Sequence, residues 1–395
     1  MNLDRSKIRG YRLRAHHLDA KLPAEKILDA AGACGIQNTP PGAFETALYL
    51  RLQDSSLTAI QDALYREKIL LQAWSYRGVP AVFPTKDSDI FLTALISQEG
   101  EEPWIYTRGV SAGLEYTGLS LSEALQLVKD AAASLEGRVI VSKEELDRDL
   151  ADRIQKRLPE EKKSLWTAPS MYGRPDRQTV GQAIVSFLLR PCSFSSLVVF
   201  GERCGQSPSF TSYRSWTGQE PALLPDAGKE LVRRFLHCYG PSSPAAFADW
   251  LGSSRRQAQR LWDSVSCELT PLKLERKNLW MLTRDIPELL SAEEGDRLLL
   301  IGPHDPYLDL RDREIILEDT VRQRQVFRTV ANPGAILRGG IIIGIWSAKS
   351  EKRKIRFSLR LWDGAGEVTR RELNRQAEEY AAFRGLTPDV KWDED

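Results

Sequence analysis

An α+β fold is predicted: three tandem winged helix-turn-helix units followed by a small C-terminal β-barrel. Three observations carry this. Residues 231–282 run in the order helix, helix, polar helix, β-ribbon. The same order recurs twice upstream, at a spacing of about a hundred residues, longer than the repeats of a solenoid. After Gly295 helical periodicity gives way to short apolar runs separated by Gly and charged turns. The bounds drawn from these breaks are 1–118, 119–220 and 221–292 for the three units, and 293–395 for the barrel with its closing helix.

In the first unit a helix over 23–33 ends at Gly35, and a second runs over 44–52. Ser55-Ser56 cap a third over 57–74, which presents Gln61, Arg66, Lys68 and Gln72. Residues 76–83 form a wing-like extended pair, and Lys86-Asp87-Ser88-Asp89 opens another helix. In the second unit helices are predicted over 121–133, 143–158 and 179–189, and strands over 198–210 and 213–216 around Gly201-Glu202-Arg203 and Gly205.

The third unit has the clearest punctuation. A helix over 231–239 stops at Gly240-Pro241. Ser242-Ser243-Pro244 caps a short helix through Trp250, because a Ser oxygen accepts an orphan N–H and Pro lacks one. Gly252 ends it, and Ser253-Ser254 cap a helix carrying Arg255, Arg256, Gln257, Gln259 and Arg260. Strands over 272–274 and 279–281 flank the charged turn 275–278. In the last segment strands are predicted over 298–301, 314–317, 325–329, 335–338, 341–346 and 355–362, then an amphipathic helix over 367–384 and a frayed acidic end, 391–395.

The 395 residues are 42% hydrophobic and 28% charged, an ordinary globular composition. Lys and Arg number 55 and Asp and Glu 54, so any nucleic-acid surface is a local patch. The five cysteines (34, 192, 204, 238 and 267) form no close pair, and their odd number argues against a disulfide scaffold. No apolar leader and no membrane-length apolar stretch is present, so a reduced, cytoplasmic protein without membrane contact is expected. His16, His17 and Cys34 fit no zinc-ligand spacing, and Cys238 sits on an apolar helix; neither metal nor cofactor is expected. Phosphate-binding, dinucleotide and serine-nucleophile motifs are absent.

Two basic clusters stand out, and the first points to DNA. The helix with Arg255, Arg256, Gln257 and Arg260 offers guanidinium and amide groups of the kind that enter a groove; a solvated charged face is the alternative. Residues 349–360, KSEKRKIRFSLR, crowd Lys349, Lys352, Arg353, Lys354 and Arg356 at one hairpin tip, where a solvated turn is the alternative. Trp346, Phe357 and Trp362 read as core. Asp305 and the Asp312-Arg313 pair read as a buried ion-pair and turn constellation.

Several landmarks, in this order, carry a resemblance. They are Gly35-Ile36-Gln37 with Leu50-Arg51, then Arg77-Gly78, and Tyr239-Gly240-Pro241-Ser242-Ser243-Pro244 with Phe247-Ala248-Asp249-Trp250-Leu251-Gly252. His304-Asp305-Pro306-Tyr307-Leu308 with Arg311-Asp312-Arg313 follows, then Asn332-Pro333-Gly334-Ala335-Ile336-Leu337 with Gly344-Ile345-Trp346. Over nearly its whole length the chain resembles the winged-helix DNA glycosylases of the AlkZ and YcaQ type. The resemblance implies three winged helices around a channel plus a β-barrel. It also implies double-stranded DNA as the partner, and hydrolysis of the N-glycosidic bond of alkylated purines and interstrand crosslinks; three tandem units in one chain already surround a duplex, so a monomer is expected. A barrel hairpin that approaches DNA is implied too, which places the five cations of residues 349–356 at phosphates.

The family's catalytic motif, Gln–apolar–Gln or Asp, falls on Gln37, Asn38 and Thr39. The first Gln is kept, the middle is Asn, and Thr39 offers a hydroxyl without an amide or carboxylate. Glycosidic cleavage passes through an oxocarbenium-like sugar. A purine alkylated at N7 is already cationic, so a neutral amide holding one water is sufficient assistance. Glu45 and Asp54 are the neighbouring carboxylates. The alternative for 37–41 is a polar turn capping the next helix, and for the chain a non-catalytic DNA-binding regulator or lesion sensor.

Overall fold

The computed structural model describes residues 4–101, 109–172, 175–362 and 367–393, the side chains of 367 and 368 excepted. It is α+β, about half helix and a fifth strand. Two compact units form: Met1–Ala63 with Arg233–Ala246 and Val265–Asp395, and Leu64–Val232 with Phe247–Ser264.

Along the chain, helices followed by an antiparallel ribbon recur three times. Ile27–Gly32, Ala43–Arg51 and Leu57–Tyr65 precede the ribbon of Leu70–Trp74 and Pro80–Pro84. Leu121–Ala132, Lys143–Gln155, Glu160–Thr167 and Val180–Phe194 precede Val199–Cys204 and Ser207–Thr211. Ala227–Tyr239, Pro244–Leu251 and Arg255–Asp263 precede Leu269–Leu274 and Lys277–Leu282. Side chains start these helices as the composition dictates. Ser120 with Glu123 and Thr179 with Gln182 form capping boxes, and Ser254 Oγ accepts from Gln257 N.

The predicted helix over 57–74 ends at Tyr65, and Leu70–Trp74 is a strand. Lys68 takes φ 55°, which no helix continues through, and all five residues of 70–74 are buried, so they lack a solvent face. Gln72 is therefore a buried strand residue. Residues 213–216, predicted as a strand, lie in the helix Tyr213–Thr217, because Ser212 Oγ caps Ser215 N.

The second compact unit packs Leu121–Ala132, Lys143–Gln155 and Val180–Phe194 around Leu150, Ile154, Trp166 and Leu188. Trp166 is 1% exposed and donates its indole N–H to the Ala151 carbonyl at 3.0 Å. Gly181 makes room for it: a Cβ there would sit 2.2 Å from the indole.

The C-terminal segment is an open five-stranded sheet, not a barrel. Its order is Thr387–Trp392, Lys354–Leu361, Ile341–Glu351, Gly334–Arg338, Leu298–Ile301. Residues 314–317 and 325–329, predicted as strands, are a 3-10 turn at Arg313–Ile315 and the end of a helix, Thr320–Val326, capped by the Asp319 carboxylate. The C-terminal end supplies the unforeseen strand, parallel to Lys354–Leu361 after the crossover helix Glu367–Phe383. That helix buries Leu373, Ala377 and Ala381 on Ile336, Phe357 and Leu359. The other face, with Ala335, Leu337, Ile342 and Ile345, packs with Ile8, Tyr11 and Leu13 of the first helix, Arg5–Ala15. Both faces are covered, so the strands bury continuous apolar runs without closure.

Candidate active site

The Gln37 turn is built by two backbone reversals. Gly35 at φ 73° leads out of the preceding helix, and Gly42 at φ 93° is the N-cap of Ala43–Arg51. Asn38 Oδ1 accepts the Gly42 N–H at 2.8 Å and so closes the loop between them. Gln37 and Asn38 are 6% and 5% exposed, whereas Thr39 is exposed. Thr39 lines a cleft of about 510 Å³ together with Pro40, Pro41, His304, Asn332, Trp346 and Tyr380; Gln37 and Asn38 do not line it.

Arg384 organises one wall. It pairs with the Glu45 carboxylate and donates to Gly42 O at 3.2 Å, Thr46 Oγ1 at 3.0 Å and Tyr380 Oη at 3.0 Å. The other Glu45 oxygen accepts from Gln61 Nε2 at 2.8 Å. Glu45 is thus a buried, neutralised carboxylate under the turn, and Asp54 is exposed outside the cleft lining. Arg384 carries no spacing signal in the sequence, because its partners in the turn and the helix after it, Gly42, Glu45 and Thr46, lie more than three hundred positions away.

Behind the cleft, Arg51 and Asp305 form a two-pronged ion pair at 2.9 and 2.8 Å, with side chains 2% and 1% exposed. Asp305 Oδ1 also caps Tyr307 N at 3.0 Å. Burial acts to raise the Asp305 pKa, but the Arg51 guanidinium outweighs it and holds the carboxyl below its usual value. The ion-pair reading of Asp305 thus finds its partner in Arg51. Asp312 pairs with Arg12 at 2.7 Å, while Arg313 lies 3.9 Å over the Phe327 ring.

The two basic clusters differ. On Arg255–Asp263, Gln257 has no exposed surface and donates Nε2 to Leu95 O at 2.9 Å. It therefore belongs to the packed side of the helix and is a correction to the exposed face predicted. Arg260 holds Glu101 through two nitrogens, at 2.6 and 3.2 Å, and Arg256 donates to Gly100 O at 2.8 Å. Arg255 is exposed, 3.3 Å from Asp249. The hairpin of Ile341–Glu351 and Lys354–Leu361 turns at Lys352-Arg353, with Lys352 at φ 52°. Glu351 draws in Lys349 at 3.6 Å and Arg356 at 3.1 Å. Lys352, Arg353 and Lys354 are exposed and make no ion pair among the described residues.

Sequence spacing also missed a cluster: His16, Cys34 and Cys238, distant along the chain, meet within the first compact unit. No described helix is long and apolar enough to cross a membrane.

Comparison with known proteins agrees with this architecture. A Streptomyces sahachiroi protein named interstrand DNA cross-link repair glycosylase is 21% identical over 286 residues, 70% of each chain. The solved structure of the Streptomyces sahachiroi DNA glycosylase AlkZ matches with a TM-score of 0.77 at 17% identity, covering 100% of both chains, which carries the fold. Residues 30–383 match the family described as DNA glycosylase AlkZ-like, and the chain belongs to that family.

Proposed function

We propose that this chain is a cytoplasmic, monomeric, monofunctional DNA glycosylase that hydrolyses the N-glycosidic bond of purines alkylated at N7, crosslinked ones included, in double-stranded DNA. The observation that carries the reading is that Thr39, the last residue of the 37–39 turn, lines a cleft of about 510 Å³, in a chain of this family. In this reading the segments 1–118, 119–220 and 221–292 are winged-helix units. Lys352, Arg353 and Lys354, with Arg255 as an outlying contact, meet the phosphates. Gln257 is not part of this surface.

The chemistry follows from the groups present. An N7-alkylated purine leaves as a neutral base, so no strong general acid is required. Gln37 orients the attacking water through its amide, and Thr39 adds one hydrogen bond from the cleft side. Glu45 is neutralised by Arg384 and is not the base. No lysine stands in the turn to form a Schiff base, so the product is an abasic site without strand cleavage.

A second reading has a specific observation in its favour. Asn38 spends its amide oxygen on Gly42, Gln37 is nearly buried, and the third motif position is Thr39. These suit a DNA-binding protein that keeps the fold without the chemistry. Release of free base from a duplex carrying one N7-alkylguanine separates the two. The enzyme reading expects release that Gln37→Ala abolishes with DNA affinity nearly unchanged, because the amide acts on the transition state. Binding without release in the unaltered protein leaves the second reading.

A further inference from the structure

Three metal-ligating side chains converge in the first compact unit, and the glycosylase reading uses none of them. His16 is the C-cap of Arg5–Ala15, Cys34 follows Ile27–Gly32, and Cys238 lies on Ala227–Tyr239. One ring nitrogen of His16 and the two sulfurs lie within 4.8 Å of one another. Cys34 Sγ is 3.9 Å from His16 Nδ1. His16, Cys34 and Cys238 are 2%, 3% and 0% exposed. His16 Nε2 is buried and has no hydrogen-bond partner among the described residues. Burying an imidazole costs desolvation that a long contact to sulfur does not return. An apolar side chain would fill the same space at less cost.

We propose that His16, Cys34 and Cys238 bind one structural zinc ion. Two thiolates and an imidazole are the donors that zinc takes; magnesium and calcium require oxygen sets. Zinc with two thiolates and a neutral imidazole has no net charge, which suits a buried site. Bond lengths of about 2.3 Å to sulfur and about 2.0 Å to nitrogen, at tetrahedral angles, separate sulfur from nitrogen by about 3.5 Å. The 3.9 Å between Cys34 and His16 needs a contraction of only a few tenths of an ångström to reach that. A fourth position is left to an oxygen, and the Tyr239 hydroxyl stands 3.6 Å from Cys34 Sγ. The ion ties together three stretches of chain. Cys34 stands three residues before Gln37, so the ion also anchors the segment that leads into the candidate catalytic turn.

The test is metal content of the full-length protein, purified reduced and without chelator, measured by plasma mass spectrometry. One zinc per chain is expected. Cobalt exchanged into the site should show a near-ultraviolet thiolate-to-cobalt charge-transfer band. Cys34→Ser, Cys238→Ser and His16→Gln should each lose metal and band. The double variant Cys204→Ser/Cys267→Ser, which alters the two exposed thiols, should keep both. The proposal is overturned if the reduced, unaltered protein neither carries zinc nor takes up zinc or cobalt on titration. It is equally overturned by a Cys34–Cys238 disulfide in protein isolated without reductant, or by metal retained in the three ligand variants. The count on unaltered protein decides the matter even if a ligand variant fails to fold.

Discussion

Asn38 gives its side-chain oxygen to the Gly42 N–H, and this bond sets the backbone from which Gln37 and Thr39 project. Position 39 is where chemistry can be added at little structural risk, since Thr39 is exposed and faces the cleft. Thr39→Asp or Thr39→Gln should raise base release by roughly tenfold to hundredfold, the worth of one well-placed polar group. Unfolding free energy should move by no more than about 0.5 kcal/mol. An unchanged release rate in both variants would take Thr39 out of the reaction. The Arg51–Asp305 pair has a different role. Both side chains are buried, so Asp305→Asn leaves the guanidinium facing a neutral amide. A loss of about 3–5 kcal/mol is expected in urea denaturation. A loss under about 1 kcal/mol would mean that Arg51 finds another partner.

The hairpin and the helix Arg255–Asp263 both look basic in sequence, but they bury their charges differently. On the helix, packing takes Gln257 and ion pairing takes Arg260, while Arg255, Arg256 and Gln259 stay exposed. On the hairpin, Glu351 occupies Lys349 and Arg356, and the turn residues Lys352 and Arg353 with Lys354 stay exposed. Replacing Lys352, Arg353 and Lys354 together by Ala should weaken binding to every DNA sequence. It should also reduce the slope of log affinity against log salt by up to about 2.7, at about 0.9 for each phosphate that is no longer neutralised. Fluorescence anisotropy across a salt series measures this, and an unchanged slope removes the hairpin from the interface.

The first compact unit is assembled from three separate stretches of chain, and one polar cluster joins all three. His237 Nδ1 lies 3.0 Å from Asp285 Oδ2, which also accepts from Tyr11 Oη at 3.1 Å. The Asp285 hydrogen bond, against some burial, raises the His237 pKa above its ordinary value. Burial works to raise Asp285, but His237 and Tyr11 outweigh it and hold the carboxyl low. For a raised histidine, the stabilisation is complete below the unfolded value of 6.5 and is lost as pH climbs through the folded value. For the lowered aspartate it is complete above 3.8 and is lost as pH falls through the folded value. Stability from this pair is therefore greatest between pH 3.8 and 6.5. Denaturation midpoints from pH 6 to 9 should fall in the unaltered protein and be flatter in His237→Gln. Equal slopes would show that the pair does not couple to folding.

Caps, breakers and apolar period determined the local elements. Ser254 before a helix, Gly252 after one and the Gly240-Pro241 stop act through nearest neighbours, so their effects are legible without the fold. The family and the position of the Gln37 turn were also legible, because motif order survives in the linear chain. What the sequence left open depends on partners far along it. Leu70–Trp74 became a strand because every side chain there is buried, a tertiary condition that the local pattern does not encode. The sheet stayed open because the closing helix returned a parallel strand to its edge and the first helix covered its far face. Arg384 reached Glu45, Arg51 reached Asp305, and His16, Cys34 and Cys238 met, across separations that no spacing rule spans. Local backbone preference acts over a few residues, whereas burial and charge pairing act through space, and the chemistry of this molecule is arranged by the latter.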